Sequence, residues 1–255
     1  MAFRIEGKTA LVTGGARDIG AACCLELARN GANVVANYCQ SRDQAQEMVE
    51  SIVAMGQKAV AIQADVTKPA DVERLVREAR QFGKGRLDIV VNNAGGMVKR
   101  AKLSELTLEL LEEVLRLNFT SALLVSKAAL PIMEGQRSGK IINISSIAGA
   151  NGGAATTPHY GPAKAALTNL ARTLTKEYAA KGIQINTVAP GVIDTKFHTD
   201  HTPPEIWDLL IRGIPMGRAG TSDDVAGVVA FLASPAADYI SGEVIHVNGG
   251  MHFGS

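Results

Sequence analysis

The stretch Thr13-Gly14-Gly15-Ala16-Arg17-Asp18-Ile19-Gly20, which reads TGGARDIG, follows a short apolar run, TALV, near the start of the chain. A helical pattern, IGAACCLELARNG, comes next and ends at Gly31, a residue type common just after a helix. We expect Gly14 to allow a tight turn and Gly20 to let the helix pack closely on the strand. The helix N-terminus would then offer free N–H groups and a positive dipole end to phosphates. This stretch predicts a strand–turn–helix unit that binds a pyrophosphate.

The rest of the chain repeats this alternation of strand and helix. Further short apolar runs are separated by helical patterns, the longest from Thr107 to Met133 and from Pro162 to Ala180. Strands that are apolar on both faces are typical of a parallel sheet covered by helices on each side. With right-handed crossovers, the pattern predicts an α/β fold, a doubly wound parallel sheet (Rossmann fold). No linker or repeat divides the sequence, so we predict a single domain over residues 1–255.

The composition restricts the class of protein. Of 255 residues, 46% are hydrophobic and 20% are charged, and the net charge is +1, so nothing favours a nucleic-acid or membrane partner. The N-terminal pattern resembles neither a signal peptide nor a membrane span. The three cysteines, Cys23, Cys24 and Cys39, form no CxxC pair, and we predict no metal site. These features favour a cytoplasmic protein in a reducing compartment.

At TGGARDIG the chain resembles the short-chain dehydrogenase/reductase family, whose pattern TGxxxGxG is matched by Thr13, Gly14 and Gly20. Asp18 stands where the family has its middle glycine. A carboxylate about 5 Å from a phosphate would cost roughly 1–3 kcal/mol, so we expect weakened rather than lost binding. Aspartate tolerates a positive φ and is a favourable N-cap, and the neighbouring Arg17 offsets its charge.

The end of the second strand bears on the choice between NAD and NADP. An acid that binds both ribose hydroxyls usually selects NAD, but ANYCQSR contains none. Cations and hydroxyls suit a 2′-phosphate, and Arg17, Ser41 and Arg42 supply them. The alternative is that both arginines are ordinary solvated surface residues. We therefore expect NADP (NADPH) as the cofactor, with NAD less favoured.

The resemblance extends over almost the whole chain and implies further cofactor contacts. Asp65 matches the family's adenine contact, although it could equally cap a turn ahead of Thr67. NNAG at 92–95 and PGVIDT at 190–195 match segments that line the cofactor. The cofactor-binding residues predicted in this way are Gly14, Arg17, Asp18, Ile19, Gly20, Tyr38, Ser41, Arg42, Asp65, Val66, Asn92, Ala94, Gly95, Tyr160, Lys164, Pro190, Gly191, Ile193 and Thr195.

The sequence YGPAK places Tyr160 and Lys164 four residues apart, on one face of a helix. The ammonium is therefore expected to lower the phenol pKa from its ordinary value near about 10. A core tyrosine beside a surface lysine would show the same spacing. By the resemblance, Ser146 polarises the substrate carbonyl, with Ser145 as the competing assignment, and Asn118 holds a water near the lysine. The implied catalytic residues are Asn118, Ser146, Tyr160 and Lys164.

The resemblance implies hydride transfer between a nicotinamide and a small-molecule carbonyl or secondary alcohol, with Tyr160 as the proton donor or acceptor. Within the family, the chain most resembles 3-oxoacyl-acyl-carrier-protein reductases, in which Arg137 and Lys181 would suit an acidic acyl carrier at the mouth of the site. The alternatives are a polyol or sugar dehydrogenase and, in a different class, a non-catalytic NADP-binding sensor, for which Asp18 is the argument.

Residues 196–216 are predicted to form a mobile substrate lid with a short helix around Trp207. Candidates for an apolar pocket or a substrate contact are Met97, His159, Phe197 and Trp207, and weak metal candidates are His198 and His201. The alternatives are purely structural: Trp207 anchors the lid helix, and His159 is a loop residue. The two long helices are expected to pair across subunits in a homotetramer.

Overall fold

A computed structural model describes residues 3–196, 202 and 204–254 of the chain. In these ranges seven strands form one sheet in the order β3-β2-β1-β4-β5-β6-β7. The strands are β1 (Thr9–Val12), β2 (Asn33–Tyr38), β3 (Ala59–Gln63), β4 (Ile89–Asn92), β5 (Gly139–Ile144), β6 (Ile183–Pro190) and β7 (Val244–Val247). All neighbouring strands are parallel, which confirms the predicted fold class.

The helices of the described ranges alternate with the strands. They are α1 (Asp18–Arg29), α2 (Arg42–Ala54), α3 (Pro69–Phe82), α4 (Leu108–Leu115), α5 (Ser121–Gln136), α6 (Ala148–Asn151), α7 (Tyr160–Tyr178), α8 (Pro204–Arg212) and α9 (Ser222–Ala233). A π-helical turn, Arg116–Thr120, joins α4 to α5, and short 3₁₀ turns cover Leu103–Glu105, Ala179–Lys181 and Pro235–Ala237. None of these helices is long and apolar enough to cross a membrane.

The helices cover both faces of the sheet, as the apolar strands require. One core cluster joins α1, α2 and α9 to the sheet, and the other joins α3, α5 and α7 to its opposite face. Strands β1 and β4 are buried along their whole length because each is covered on both sides. Burial of this kind is the main contribution to the stability of such a sheet.

The strand order reverses between β1 and β4, which are neighbours in the middle of the sheet. In an open α/β sheet a crevice forms outside the carboxyl ends of the strands at such a reversal. The glycine-rich turn follows β1, the NNAG segment follows β4 and the two serines follow β5. The topology therefore brings the predicted site segments to one edge of the sheet.

The region predicted as a lid is described in part. Helix α8 lies where a helix was expected around Trp207. Phe197, His198 and His201 lie outside the described residues. Met97 is only 1% exposed, so its side chain belongs to the protein interior.

Candidate active site

The glycine-rich turn adopts a backbone that its two expected glycines allow. Gly14 has φ +62°, in the left-handed region that favours glycine. A Cβ at Gly20 would overlap the carbonyl oxygen of Gly14, so this position has no room for a side chain. Ile19, next to Gly20, packs against the core. Helix α1 can therefore begin close to β1 with its first N–H groups facing the turn.

Asn93, which was not predicted as a site residue, holds the glycine-rich turn in place. Its Nδ2 donates to the carbonyl oxygens of Thr13 (3.0 Å) and Gly14 (3.1 Å). Thr13 Oγ1 in turn accepts from the backbone N–H groups of Asn93 and Ala94, both at 3.0 Å. Asn92 was predicted as a cofactor contact, but its side chain is buried and bonds to Ser126 and Asn143, so a contact through this side chain is corrected.

Asp18 is the first residue of α1 and has φ +51°. The N-cap is Arg17, and no side chain caps the helix, so the expected capping role for the aspartate is not found. Its Oδ1 instead accepts a hydrogen bond from the backbone N–H of Lys196, at 3.1 Å. The carboxylate is therefore directed toward the segment that follows β6.

Two exposed cations lie near each other's segments, Arg42 just after β2 and Arg17 in the glycine-rich turn. Tyr38 ends the strand, Ser41 is the N-cap of α2, and Arg42 begins that helix. Neither Arg17 nor Arg42 has a hydrogen bond or ion pair from its guanidinium to the part of the chain that the structure describes. Asn37, which is 1% exposed, accepts from the N–H of Gly14 at 3.3 Å and so joins β2 to the turn.

Asp65 and Val66 follow β3, and Val66 is buried. Asp65 Oδ1 accepts from the backbone N–H (3.0 Å) and hydroxyl (2.7 Å) of Thr67, so the turn-capping alternative describes real contacts. Burial would raise the pKa of this carboxyl, but the Thr67 hydrogen bonds and the charge of Lys68 outweigh it and lower the pKa. The group is thus an anion that can accept a further hydrogen bond.

The two serines after β5 make different contacts. Ser145 Oγ donates to the carbonyl oxygen of Lys164 at 2.8 Å and is buried. Ser146 Oγ accepts from the N–H of Ala148 at 3.1 Å and hydrogen bonds to the Tyr160 hydroxyl. Adjacent residues at a strand end point in opposite directions, so only Ser146 faces the phenol.

Tyr160 begins α7, and Lys164 lies one turn further along that helix. Lys164 is 4% exposed, and its ammonium donates to the carbonyl oxygen of Ile144 at 2.9 Å and lies 5.8 Å from the centre of the Tyr160 ring. Burial lowers the pKa of Lys164 to about 8. Burial raises the pKa of Tyr160 to about 12, against the opposing Ser146 hydrogen bond, so the expected lowering of the phenol pKa is wrong for this chain.

Asn118 lies in the π-helical turn between α4 and α5, a kind of distortion that is frequent at functional sites. Its side chain is buried, accepts from the N–H of Gly96 (3.0 Å) and donates to the oxygens of Gly96 (2.7 Å) and Val114 (2.9 Å). A Cβ at Gly95 would lie 2.7 Å from Asn118 Oδ1 and 2.9 Å from Lys164 Nζ. Gly95 therefore lies directly against both predicted catalytic groups.

The PGVIDT segment continues from β6. The carbonyl oxygen of Pro190 accepts from the N–H of Ile147, at 2.9 Å. A Cβ at Gly191 would lie 2.8 Å from Asn248, which explains the glycine there. The side chain of Ile193 is 4% exposed and belongs to the core, so only its backbone can face a cofactor. Thr195 Oγ1 donates to the carbonyl oxygen of Ile193, at 3.2 Å.

A strained turn borders the site after β4. Val98 has φ +64°, and the N–H of Lys99 bonds to the oxygen of Met97 at 2.8 Å, which is the uncommon, strained form of a γ-turn. The ring of His159 is fully buried, and its Nε2 donates to the carbonyl oxygen of Lys99 at 2.9 Å. His159 is thus a positioning group for this loop rather than an open substrate contact.

Arg137 and Lys181 lie away from the site within one chain. Arg137 caps the end of α5 just before β5, and Lys181 lies just before β6, where it pairs with Glu134 at 2.9 Å. Both positions are at the amino ends of the strands, opposite the edge that carries Tyr160. They do not border the mouth of the same subunit, contrary to the sequence-based expectation.

A glycine-rich turn at a sheet reversal, with a serine, a tyrosine and a buried lysine beside it, defines an oxidoreductase of the dinucleotide-binding α/β class. A family model described as enoyl-(acyl carrier protein) reductase matches residues 14–252. The 3-oxoacyl-[acyl-carrier-protein] reductase of Staphylococcus epidermidis is 41% identical over 246 residues, 96% of this chain and 99% of that protein. The chain belongs to the short-chain dehydrogenase/reductase family, and it is an enzyme that acts on CH–OH groups or the corresponding carbonyls.

Solved structures give the same result for the fold. A short-chain dehydrogenase from Burkholderia cenocepacia in complex with NADP has a TM-score of 0.89 at 34% identity and covers 97% of this chain and 99% of its own. A protein described as an NAD(P)-dependent gluconate 5-dehydrogenase from Beutenbergia cavernae, with bound NADP, has a TM-score of 0.92 at 33% identity, covering 98% and 99%. Similar proteins thus carry different substrate names on one fold.

Proposed function

We propose that this protein is an NADPH-dependent reductase of 3-oxoacyl thioesters, working in the cytoplasm as a homotetramer. The observation that carries the proposal is the Ser146–Tyr160 hydrogen bond beside the buried Lys164. The 41% identity with a 3-oxoacyl-[acyl-carrier-protein] reductase supports the substrate class, which includes acyl groups on an acidic carrier.

The residues around the turn fit a dinucleotide. Gly20 has no room for a side chain, and the free N–H groups at the start of α1 favour a pyrophosphate. Arg17, Ser41 and Arg42 would hold a 2′-phosphate, Asp65 would accept from the adenine amine, and the backbone from Pro190 to Thr195 would border the nicotinamide. When bound, the nicotinamide supplies the hydride that reduces the substrate carbonyl carbon.

The protein's own residues would stabilise the negative charge that develops on the substrate oxygen and would donate the proton to it. Because the pKa of Tyr160 is about 12, its hydroxyl is protonated at neutral pH and can donate a proton to the oxygen of the forming alcohol. Ser146 would hydrogen bond to that oxygen as negative charge develops on it. Lys164 would supply positive charge under the phenol, and Asn118 would position the Gly95–Gly96 backbone beside both groups.

Cofactor choice is tested by titrating the protein with NADPH and NADH and following the fluorescence of the reduced nicotinamide. We expect tighter NADPH binding, since charge-assisted contacts to a phosphate are strong. Arg17→Ala and Arg42→Ala should each weaken NADPH binding about five- to fiftyfold with little effect on NADH. Arg77→Ala, an exposed arginine on α3, is the control. Equal loss for both cofactors would contradict the assigned role.

A sugar or polyol dehydrogenase is the second candidate, favoured by the likeness to the gluconate 5-dehydrogenase. Both candidates use the same catalytic residues, so only substrates separate them. Turnover should be measured with a 3-oxoacyl thioester and NADPH, and with gluconate and NADP. Faster turnover of gluconate than of the thioester would replace the proposed substrate class.

A further inference from the structure

The carboxylate of Asp18 joins two segments that lie far apart in the sequence. Asp18 begins α1 at the glycine-rich turn, and Lys196 follows the PGVIDT segment. The N–H of Lys196 donates to Asp18 Oδ1 at 3.1 Å, across 178 positions of the chain. Both residues are exposed, so the bond lies at the protein surface, where the turn and the segment after β6 meet.

Local structure does not account for the aspartate. An aspartate at a helix start normally accepts from the N–H two or three residues further on, but α1 has no side-chain cap. Its φ of +51° lies in the left-handed region, which aspartate tolerates better than most residues and which glycine adopts freely. The side chain therefore has to be explained by its contact with Lys196.

The segment from Pro190 to Lys196 is otherwise held from the opposite side. Gly191 donates to the oxygen of Val247 in β7 at 2.9 Å, and Asp194 donates to the oxygen of Gly220 at 2.8 Å. Gly220 returns a bond to the oxygen of Val192 at 2.9 Å. These contacts fix the segment to β7 and to the chain before α9, whereas Asp18 attaches its end to the glycine-rich turn.

We propose that Asp18 is a positioning residue of the cofactor site, which fixes the end of the Pro190–Lys196 segment against the glycine-rich turn and thereby slows cofactor release. The inference rests on the proposed dinucleotide site, whose two sides these segments form. The effect that positioning predicts for removal of the carboxylate is opposite in sign to the effect expected from charge alone. Repulsion of phosphate predicts that removing the carboxylate tightens binding, whereas positioning predicts that it loosens binding.

Two substitutions separate repulsion of the phosphates from positioning of the Pro190–Lys196 segment. Asp18→Gly suits the positive φ but removes the acceptor, and Asp18→Asn removes the charge but keeps an acceptor and tolerates the same φ. Asp223→Asn, in the exposed first turn of α9, controls for the loss of one negative charge. The NADPH dissociation constant and dissociation rate are measured by stopped-flow fluorescence. The KM for NADPH, kcat and the unfolding midpoint of the cofactor-free protein are measured alongside.

We expect Asp18→Gly to release NADPH about two- to tenfold faster and to raise its KM similarly, because the segment after β6 loses its bond to the turn, while the unfolding midpoint shows that the cofactor-free variant is folded. Asp18→Asn should fall between that variant and the wild type. If both variants bind NADPH as tightly as the wild type, or more tightly, the inference is overturned. If the wild type itself binds no NADPH, the proposed function fails first and this inference fails with it.

Discussion

Lys164 is only 4% exposed, and burial lowers the pKa of its amine to about 8. A lysine loses its charge as the pH rises through its pKa, so the ammonium is present below pH 8 and is lost above it. We expect kcat/KM for carbonyl reduction to fall above a pH near 8, while Tyr160, with a pKa of about 12, still keeps its proton. A profile from pH 6 to about 10 measures this, and a plateau through pH 9.5 would contradict it.

Tyr160 provides the second test on the scale of one residue. Tyr160→Phe keeps the ring but removes the hydroxyl that bonds to Ser146, so the proton donor is lost. We expect turnover to fall by about 10²–10⁴, the range for general acid–base groups, with NADPH binding within about threefold of the wild type. Ser145→Ala is the matched control, because that hydroxyl bonds to a backbone oxygen. Unchanged turnover in Tyr160→Phe would remove this residue from the mechanism.

The strands and most helices could be predicted from the sequence because the apolar runs of the central strands are buried by helices on both faces of the sheet. The π-helical turn at Arg116–Thr120 could not, since the helical pattern runs through it without interruption. Helix α6, Ala148–Asn151, could not be predicted either, because four residues are too few to show a helical period. Both departures lie beside the predicted catalytic groups.

The site was predictable only in part. Ser146, Tyr160 and Lys164 come together as the resemblance implied, whereas Asn93, which holds the glycine-rich turn, was not predicted. The sign of the Tyr160 pKa shift depends on how deeply the ring is buried, and spacing along a helix contains no information on burial.

The start of α1 provides the test on the scale of an element. Gly20→Ala would drive a Cβ into the carbonyl oxygen of Gly14, so we expect a loss of about 2 kcal/mol or more in the free energy of unfolding and weaker NADPH binding. Gly227→Ala, in α9, meets no atom within 4 Å and should stabilise the protein by up to about 1 kcal/mol. Denaturant unfolding of both variants checks this, and equal stabilities would show that α1 can move away from the turn.

For the whole molecule, the prediction is the assembly of four chains. Helices α5 and α7 lie side by side on one face of the sheet, and Leu123 of α5 is 36% exposed there. Pairing of these helices between subunits would bury such side chains, and light scattering after size exclusion should give about four times the 26.8 kDa of one chain.

Leu123→Glu should dissociate the assembly, because it would place a carboxylate in the paired surface. Leu103→Glu, at a side chain that is 76% exposed in a separate 3₁₀ turn, should leave the mass unchanged. A wild-type mass of one chain would contradict the tetramer, and dissociation by both substitutions would place the subunit contact elsewhere.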